Sequence, residues 1–98
     1  MQKNDNDADL AYHYLLKLLC EAEEKQYLVR LLAALMTDKE QHELTNRLRI
    51  FALLQRGLTQ REISKKLGVG IATVSRGAKA FQQHQIDELL PNIDDEIV

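Results

Sequence analysis

Apolar residues recur along most of this chain at intervals of three and four, the period of helices rather than strands. Over residues 8–24, Leu10, Tyr14, Leu15, Leu18 and Leu19 fall at helical spacing. A wet stretch, Glu21-Ala22-Glu23-Glu24-Lys25, interrupts the pattern. A second helix is predicted over 26–36, where Tyr27, Leu28, Leu31, Leu32, Leu35 and Met36 flank Ala33 and Ala34. Such a helix is apolar around most of its circumference and must be covered on more than one side. A chain of 98 residues has little with which to cover it. The pattern therefore predicts a homodimer whose N-terminal helices pack on the partner's copies, since left bare they would form an unusually large apolar patch.

A third helix is predicted over 38–55, opened by a capping box between Thr37 and Glu40. Its inner face is expected at Leu44, Leu48, Phe51 and Leu54, with Ile50 and Leu53 widening the stripe toward a partner. Arg47, Arg49 and Arg56 face outward and Gly57 ends the helix.

Two short helices joined by a tight turn follow over 59–81. Thr59 and Glu62 form another capping box, which satisfies two otherwise orphaned amides. Ile63 and Leu67 share a face, with Ser64 beside them as a small residue where another helix can cross closely. Gly68 can take the left-handed conformation that stops a helix. Val69 turns inward, and Gly70 is the N-cap of the next helix. There Val74, Ala78 and Phe81 form the inner stripe, while Ile71, Ala72, Ser75, Arg76 and Lys79 make a short-chained, basic outer face. This is the pattern of a helix-turn-helix, whose second helix lies in the DNA major groove. An ordinary helical hairpin explains the apolar positions equally well, but gives no reason for the outer face.

Ile86, Leu89 and Leu90 predict a last short helix before Pro91. The expected organisation is a single all-α domain over 1–98, with about six helices per chain. It comprises a disordered arm (1–7), a helical dimerisation core (8–56), the helix-turn-helix (57–82), and a short helix with a mobile acidic tail (83–98).

Composition agrees with that reading: 45% of residues are hydrophobic, with four glycines and one proline. The net charge of −2 hides a segregation. Residues 1–46 carry a net −4, residues 47–82 a net +7, and residues 83–98 a net −5. The cations of the middle block are Arg47, Arg49, Arg56, Arg61, Lys65, Lys66, Arg76 and Lys79, against Glu62 alone. A basic block coinciding with the two-helix motif is the electrostatic footprint of phosphate binding, and the local field outweighs the overall pI of 5.9. The single cysteine, Cys20, excludes an internal disulfide, suits a reducing cytoplasm, and is expected as a small buried hydrophobe. No apolar run approaches the ~20 residues of a membrane span, and the polar, acidic N-terminus is unlike a signal peptide. His13, His42 and His84 lack any metal-ligand spacing. No nucleophile has a visible base partner, so neither catalysis nor a cofactor is supported.

Taken together, Asn46-Arg47-Leu48-Arg49-Ile50, Arg56-Gly57, Gln60-Arg61-Glu62 and the run from Leu67 to Gly77 resemble the tryptophan repressor family. The likeness is dense over 37–81, and most specific in Gly70-Ile71-Ala72-Thr73-Val74-Ser75-Arg76-Gly77 followed by Lys79. It implies an intertwined, all-helical homodimer with a helix-turn-helix, binding two tryptophan molecules between its core and its reading heads. By matching position, Arg47 and Arg76 would sandwich the indole, as flat guanidiniums stack on aromatic faces. Gly77 would leave room for the ring. Thr37, with the backbone around Ala34 and Met36, would line the amino-acid end from the other subunit. Gln60, Arg61, Lys65, Ile71, Ala72, Thr73, Ser75 and Lys79 would face DNA.

The chain departs from the family's archetype in four places. Ala80 stands where a serine touches the ligand amino group, so one hydrogen bond is missing. The link between Gly57 and Leu58 is one residue shorter, Ala34 replaces a leucine, and Asp38 replaces a proline.

Each of these sites also has a plainer reading. Arg61, Ser75, Lys65, Lys66 and Lys79 are solvated surface if they do not meet DNA, and Arg47 and Arg76 are an ion pair or phosphate contacts if they do not hold a ligand. The function expected from residues and resemblance together is a cytoplasmic, homodimeric repressor of tryptophan biosynthesis genes, with L-tryptophan as co-repressor and an operator in double-stranded DNA as partner. The alternatives are a helix-turn-helix regulator with a lost or different effector, and a protein-docking helical module.

Overall fold

Seven helices and no strand make up residues 5–98, the part of the chain that the computed structural model describes. They are α1 (Asp5–Glu21), α2 (Lys25–Leu35), α3 (Asp38–Gln55), α4 (Gln60–Leu67), α5 (Ile71–Gln83), α6 (Ile86–Leu89) and α7 (Ile93–Ile97). The seventh lies where an acidic, mobile tail was expected: Ile93 is buried, and α7 forms around it. Of the expected disordered arm, residues 5–7 already belong to α1, while residues 1–4 lie outside the described residues.

The chain divides into two compact units, one ending at Asp38 and the other spanning Lys39–Val98. Almost all of α3 belongs with the helix-turn-helix in the second unit. In the N-terminal unit, α1 and α2 are joined by residues 22–24, and no described residue is buried. Leu10 is 68% exposed and Leu35 56%. Two helices alone cannot enclose a side chain. Cys20, expected inside, is exposed for the same reason.

The second unit is organised around the C-terminal half of α3, where Ile50, Phe51, Ala52 and Leu53 are buried in succession. Four consecutive buried positions cover the whole helical circumference, so α3 must be packed on opposite sides. On one side, Ile50 and Leu53 join Ile63 of α4 and Val74 of α5, with Leu54, Leu58, Leu67 and Val69 packed against them. On the other, Phe51 and Ala52 meet Ile86 of α6 and Ile93 of α7, with Ala80, Phe81 and Leu90 alongside. The Phe51 and Phe81 rings lie 6.1 Å apart at 60°, within the range where tilted aromatic pairs attract. This corrects the expected inner face: Ile50 and Leu53 point into the chain's own core, while Leu44 and Leu48 remain exposed. Both precede the buried stretch that begins at Ile50.

The helix-turn-helix forms as its local chemistry dictates. Thr59 Oγ1 accepts from the Glu62 amide at 3.2 Å, and the Thr59 amide donates to Glu62 Oε1 at 2.9 Å. That backbone donor, seconded by the Thr59 side chain, holds the Glu62 carboxyl below its ordinary value of 4.5 against a small opposing effect of burial. Gly68 ends α4 with φ of +69°, a conformation open to glycine at no steric cost. The Ser64 hydroxyl then donates to the Val69 carbonyl at 2.6 Å and ties α4 to the turn. Gly70 opens α5 in extended conformation.

The C-terminal helices are pinned to α3 by two neighbouring side chains. Gln55 Nε2 donates to Asp87 Oδ1 and to the Leu90 carbonyl, each at 3.1 Å, and Gln55 Oε1 accepts from the Asp94 amide at 3.1 Å. Arg56 lies 3.8 Å from the Asp94 carboxylate and also donates to its carbonyl.

Candidate nucleic-acid interface and ligand cleft

With Val74 and Gly77 turned inward, α5 presents Ile71, Ala72, Ser75 and Lys79 outward, all exposed. Ile71 is 52% exposed despite its apolar side chain. From α4, Gln60, Arg61 and Lys65 are exposed as well. The two helices are coupled on this surface: the Ser75 hydroxyl donates to Gln60 Oε1 at 2.7 Å. Seven of the eight residues expected to face DNA therefore lie on open surface of the motif.

The eighth does not. Thr73 is half-buried and its Oγ1 accepts from Arg76 Nη2 at 3.4 Å. It lines a cleft between α3 and α5, together with Glu43, Asn46, Arg47, Ile50 and Arg76. The cleft's volume is about 240 Å³, slightly smaller than the roughly 300 Å³ at which pockets for drug-sized ligands begin. It brings Arg47 and Arg76 to one lining. Glu43, Asn46 and Ile50 were not anticipated in such a cleft. The signal was available: Glu43 is one helical turn before Arg47 and so shares its face.

Gly77 is buried where α5 crosses α3. A Cβ there would lie 2.8 Å from Ile50 Cγ2, so α3 and α5 can cross at this distance only because the position is glycine. The three remaining expected ligand residues belong to the other unit: Ala34 in the last turn of α2, Met36 at its C-cap, and Thr37 just beyond. Ala80, one turn after Arg76, packs against the Phe51 and Ile86 cluster.

Not all of the basic block is available to phosphates. Arg56 is tied to Asp94, and Arg49 donates to Asn46 Oδ1 at 3.5 Å. The cations standing free on the motif are Arg61, Lys65, Lys66 and Lys79. A larger depression of about 450 Å³ at the α1–α2 corner is lined by Leu18, Glu21, Ala22, Glu23, Glu24 and Tyr27. With three acids and no cation, it offers nothing to a carboxylate or a phosphate. Among the described residues no group of histidines, cysteines and acids could hold a metal ion, and no helix is long and apolar enough to cross a membrane.

One family profile, described as "Trp repressor protein", matches residues 11–90. The chain belongs to the Trp repressor family. It is 35% identical over 81 residues to a Trp operon repressor homolog of Xylella fastidiosa (strain M23), covering 82% of this chain and 88% of that protein. Similar proteins carrying the same name occur in Aliivibrio fischeri (strain MJ11), 41% identical over 75 residues (76% and 69% of the two chains), and in Vibrio cholerae serotype O1, 40% identical over 78 residues (79% and 76%). No solved structure matches the chain. The Trp repressor family is one of DNA-binding transcriptional regulators, not of enzymes, and the α4–α5 pair is its helix-turn-helix.

Proposed function

We propose that this Trp repressor family member is a homodimeric repressor of tryptophan biosynthesis genes, active in the cytoplasm, whose grip on operator DNA is set by L-tryptophan bound at the α3–α5 cleft. One observation supports this above the rest. Arg47 stands on α3 and Arg76 on the reading helix α5, so any molecule held between them fixes the angle of one helix against the other. The guanidiniums stack on the indole, and Arg76 pairs with the ligand carboxylate. Thr37 and the backbone at Ala34 and Met36 close the amino-acid end from the second subunit. Bound ligand favours the head orientation that fits successive major grooves and so raises operator affinity.

The N-terminal unit supports dimerisation, since none of its described apolar residues is buried and Leu10, Tyr14 and Leu35 are largely exposed. A second copy, offering the same helices, completes the core that one copy lacks. Two reading heads, separated by one turn of DNA (roughly 34–36 Å), then meet a palindromic operator.

The missing hydroxyl at Ala80 favours a second reading, in which the effector is a different aromatic amino acid. Selection of bound sequences from a random DNA pool, with and without L-tryptophan, tests the main proposal. It expects a palindromic site enriched chiefly when ligand is present. Calorimetry adds the reciprocal requirement that operator DNA tighten ligand binding by the same factor. Equal operator affinity with and without saturating tryptophan would remove the gating while leaving DNA binding intact. Tight binding of another amino acid with no response to tryptophan would establish the second reading.

A further inference from the structure

We infer that Glu43 receives the ammonium group of the effector and thereby makes the cleft selective for zwitterionic amino acids over simple carboxylates; this rests on the ligand reading above. Glu43 is the one acid in the lining, set among Arg47, Arg76, Asn46, Thr73 and Ile50. Its own helix places Arg47 at i+4, the spacing at which a glutamate and an arginine usually pair. They do not: among the described residues, neither side chain has a hydrogen bond or an ion pair. Arg76 is occupied only by the Thr73 hydroxyl. The cleft thus holds an exposed carboxylate and a guanidinium, Arg47, that have no protein partner, beside an Arg76 held by one long hydrogen bond.

The chemistry of that donor set is specific. Two arginines alone would accept any flat carboxylate, with or without an amine. An acid beside them repels a bare carboxylate and attracts one that carries its own positive charge, which is discrimination by an added repulsive element. Ala80 offers a methyl group to the Phe51–Ile86 cluster and no acceptor to a ligand. Glu43 supplies an acceptor from the opposite helix, and a charged one, so its hydrogen bond to an ammonium is stronger than a hydroxyl's.

Calorimetry on the full chain tests this with two probes that share a ring and a carboxylate: L-tryptophan, and indole-3-propionate, which lacks the amine. Glu43→Gln should weaken L-tryptophan binding about five- to tenfold, the scale of one charge-assisted hydrogen bond in a partly solvated site. The same variant should bind indole-3-propionate as well as the parent does, or better. Circular dichroism on parent and variant confirms equal helicity. Loss of both ligands in equal measure would reduce Glu43 to a structural residue, and unchanged affinity for both would give it no role; either result overturns the inference and leaves the effector site standing. A parent chain that binds neither probe would take down the ligand reading itself, and this inference with it.

Discussion

Gly77 meets Ile50 where α5 crosses α3, so closely that a β-carbon would come within 2.8 Å of Ile50 Cγ2. Neither partner is free to yield, because Ile50 is wholly buried. Gly77→Ala recovers about 1 kcal/mol of helix propensity and incurs overpacking of about 1–3 kcal/mol, so we expect a net loss of stability near 1 kcal/mol. The penalty should shrink or reverse in an Ile50→Ala background, where the added methyl fills space instead of competing for it. Urea denaturation of the two single variants and the double variant measures the coupling, and strictly additive values would contradict the steric account.

Cations that face solvent and cations already engaged should respond differently to DNA. Lys79→Ala removes an exposed charge from the reading helix, and should flatten the dependence of log affinity on log salt by about 0.9. Arg56→Ala should leave that slope unchanged, since Asp94 already holds the guanidinium. Its cost is instead a small one in stability, at most about 1 kcal/mol for so exposed a pair. Fluorescence anisotropy at four or five salt concentrations separates the two, and identical slopes for both variants would refute the assignment.

The Ser75–Gln60 hydrogen bond joins the exposed faces of α4 and α5, not the core; on the reading proposed above it meets DNA. Ser75→Ala should therefore change stability by no more than about 0.5 kcal/mol, while releasing Gln60 and broadening base preference near it. The double variant Ser75→Ala, Gln60→Ala should be no less selective than the less selective single variant. A selectivity loss that simply adds would mean the two side chains read DNA independently.

Glu62 gives the fold a pH signature. Its carboxyl sits below 4.5 when folded, chiefly because the Thr59 amide donates to it. The folded state therefore binds this proton less readily than the unfolded chain, and the stabilisation is complete above pH 4.5 and lost as pH falls through the lower folded value. Thermal unfolding of the parent and of Glu62→Gln should differ by a constant amount near neutrality, with the gap closing under acid. A gap unchanged by acid would mean that the carboxylate contributes nothing to the cap.

Features encoded over a few residues were legible in the sequence. The Thr59–Glu62 cap, the left-handed stop at Gly68 and the buried Val74 each depend on neighbours within about one turn, so composition and spacing suffice. Features that need a third element were not. Ile50-Phe51-Ala52-Leu53 is apolar all round and has no single inner stripe, so only the docking of α4 and α5 on one side and of α6 and α7 on the other assigns Ile50 and Leu53 to the chain's own core. The acidic run at Asp94-Asp95-Glu96 concealed α7, whose reason to exist is the burial of Ile93. Thr73 faces DNA only by family likeness, and in the structure its hydroxyl accepts from Arg76. In the cleft, Arg47 and Arg76 came from family likeness, whereas Glu43 was implied by helical spacing alone and went unread.

Gln55 is an amide used at both ends, giving its protons to Asp87 and Leu90 while its oxygen takes one from Asp94. Hydrolytic deamidation, which leaves a carboxylate in its place, would set like charge against Asp87 and present oxygen to an oxygen at Leu90. A fastening would become a source of repulsion with almost no change of shape. The hold on the last two helices thus depends on the neutrality of a single side chain, and Gln55→Glu should expose them to limited proteolysis while α4 and α5 stay intact.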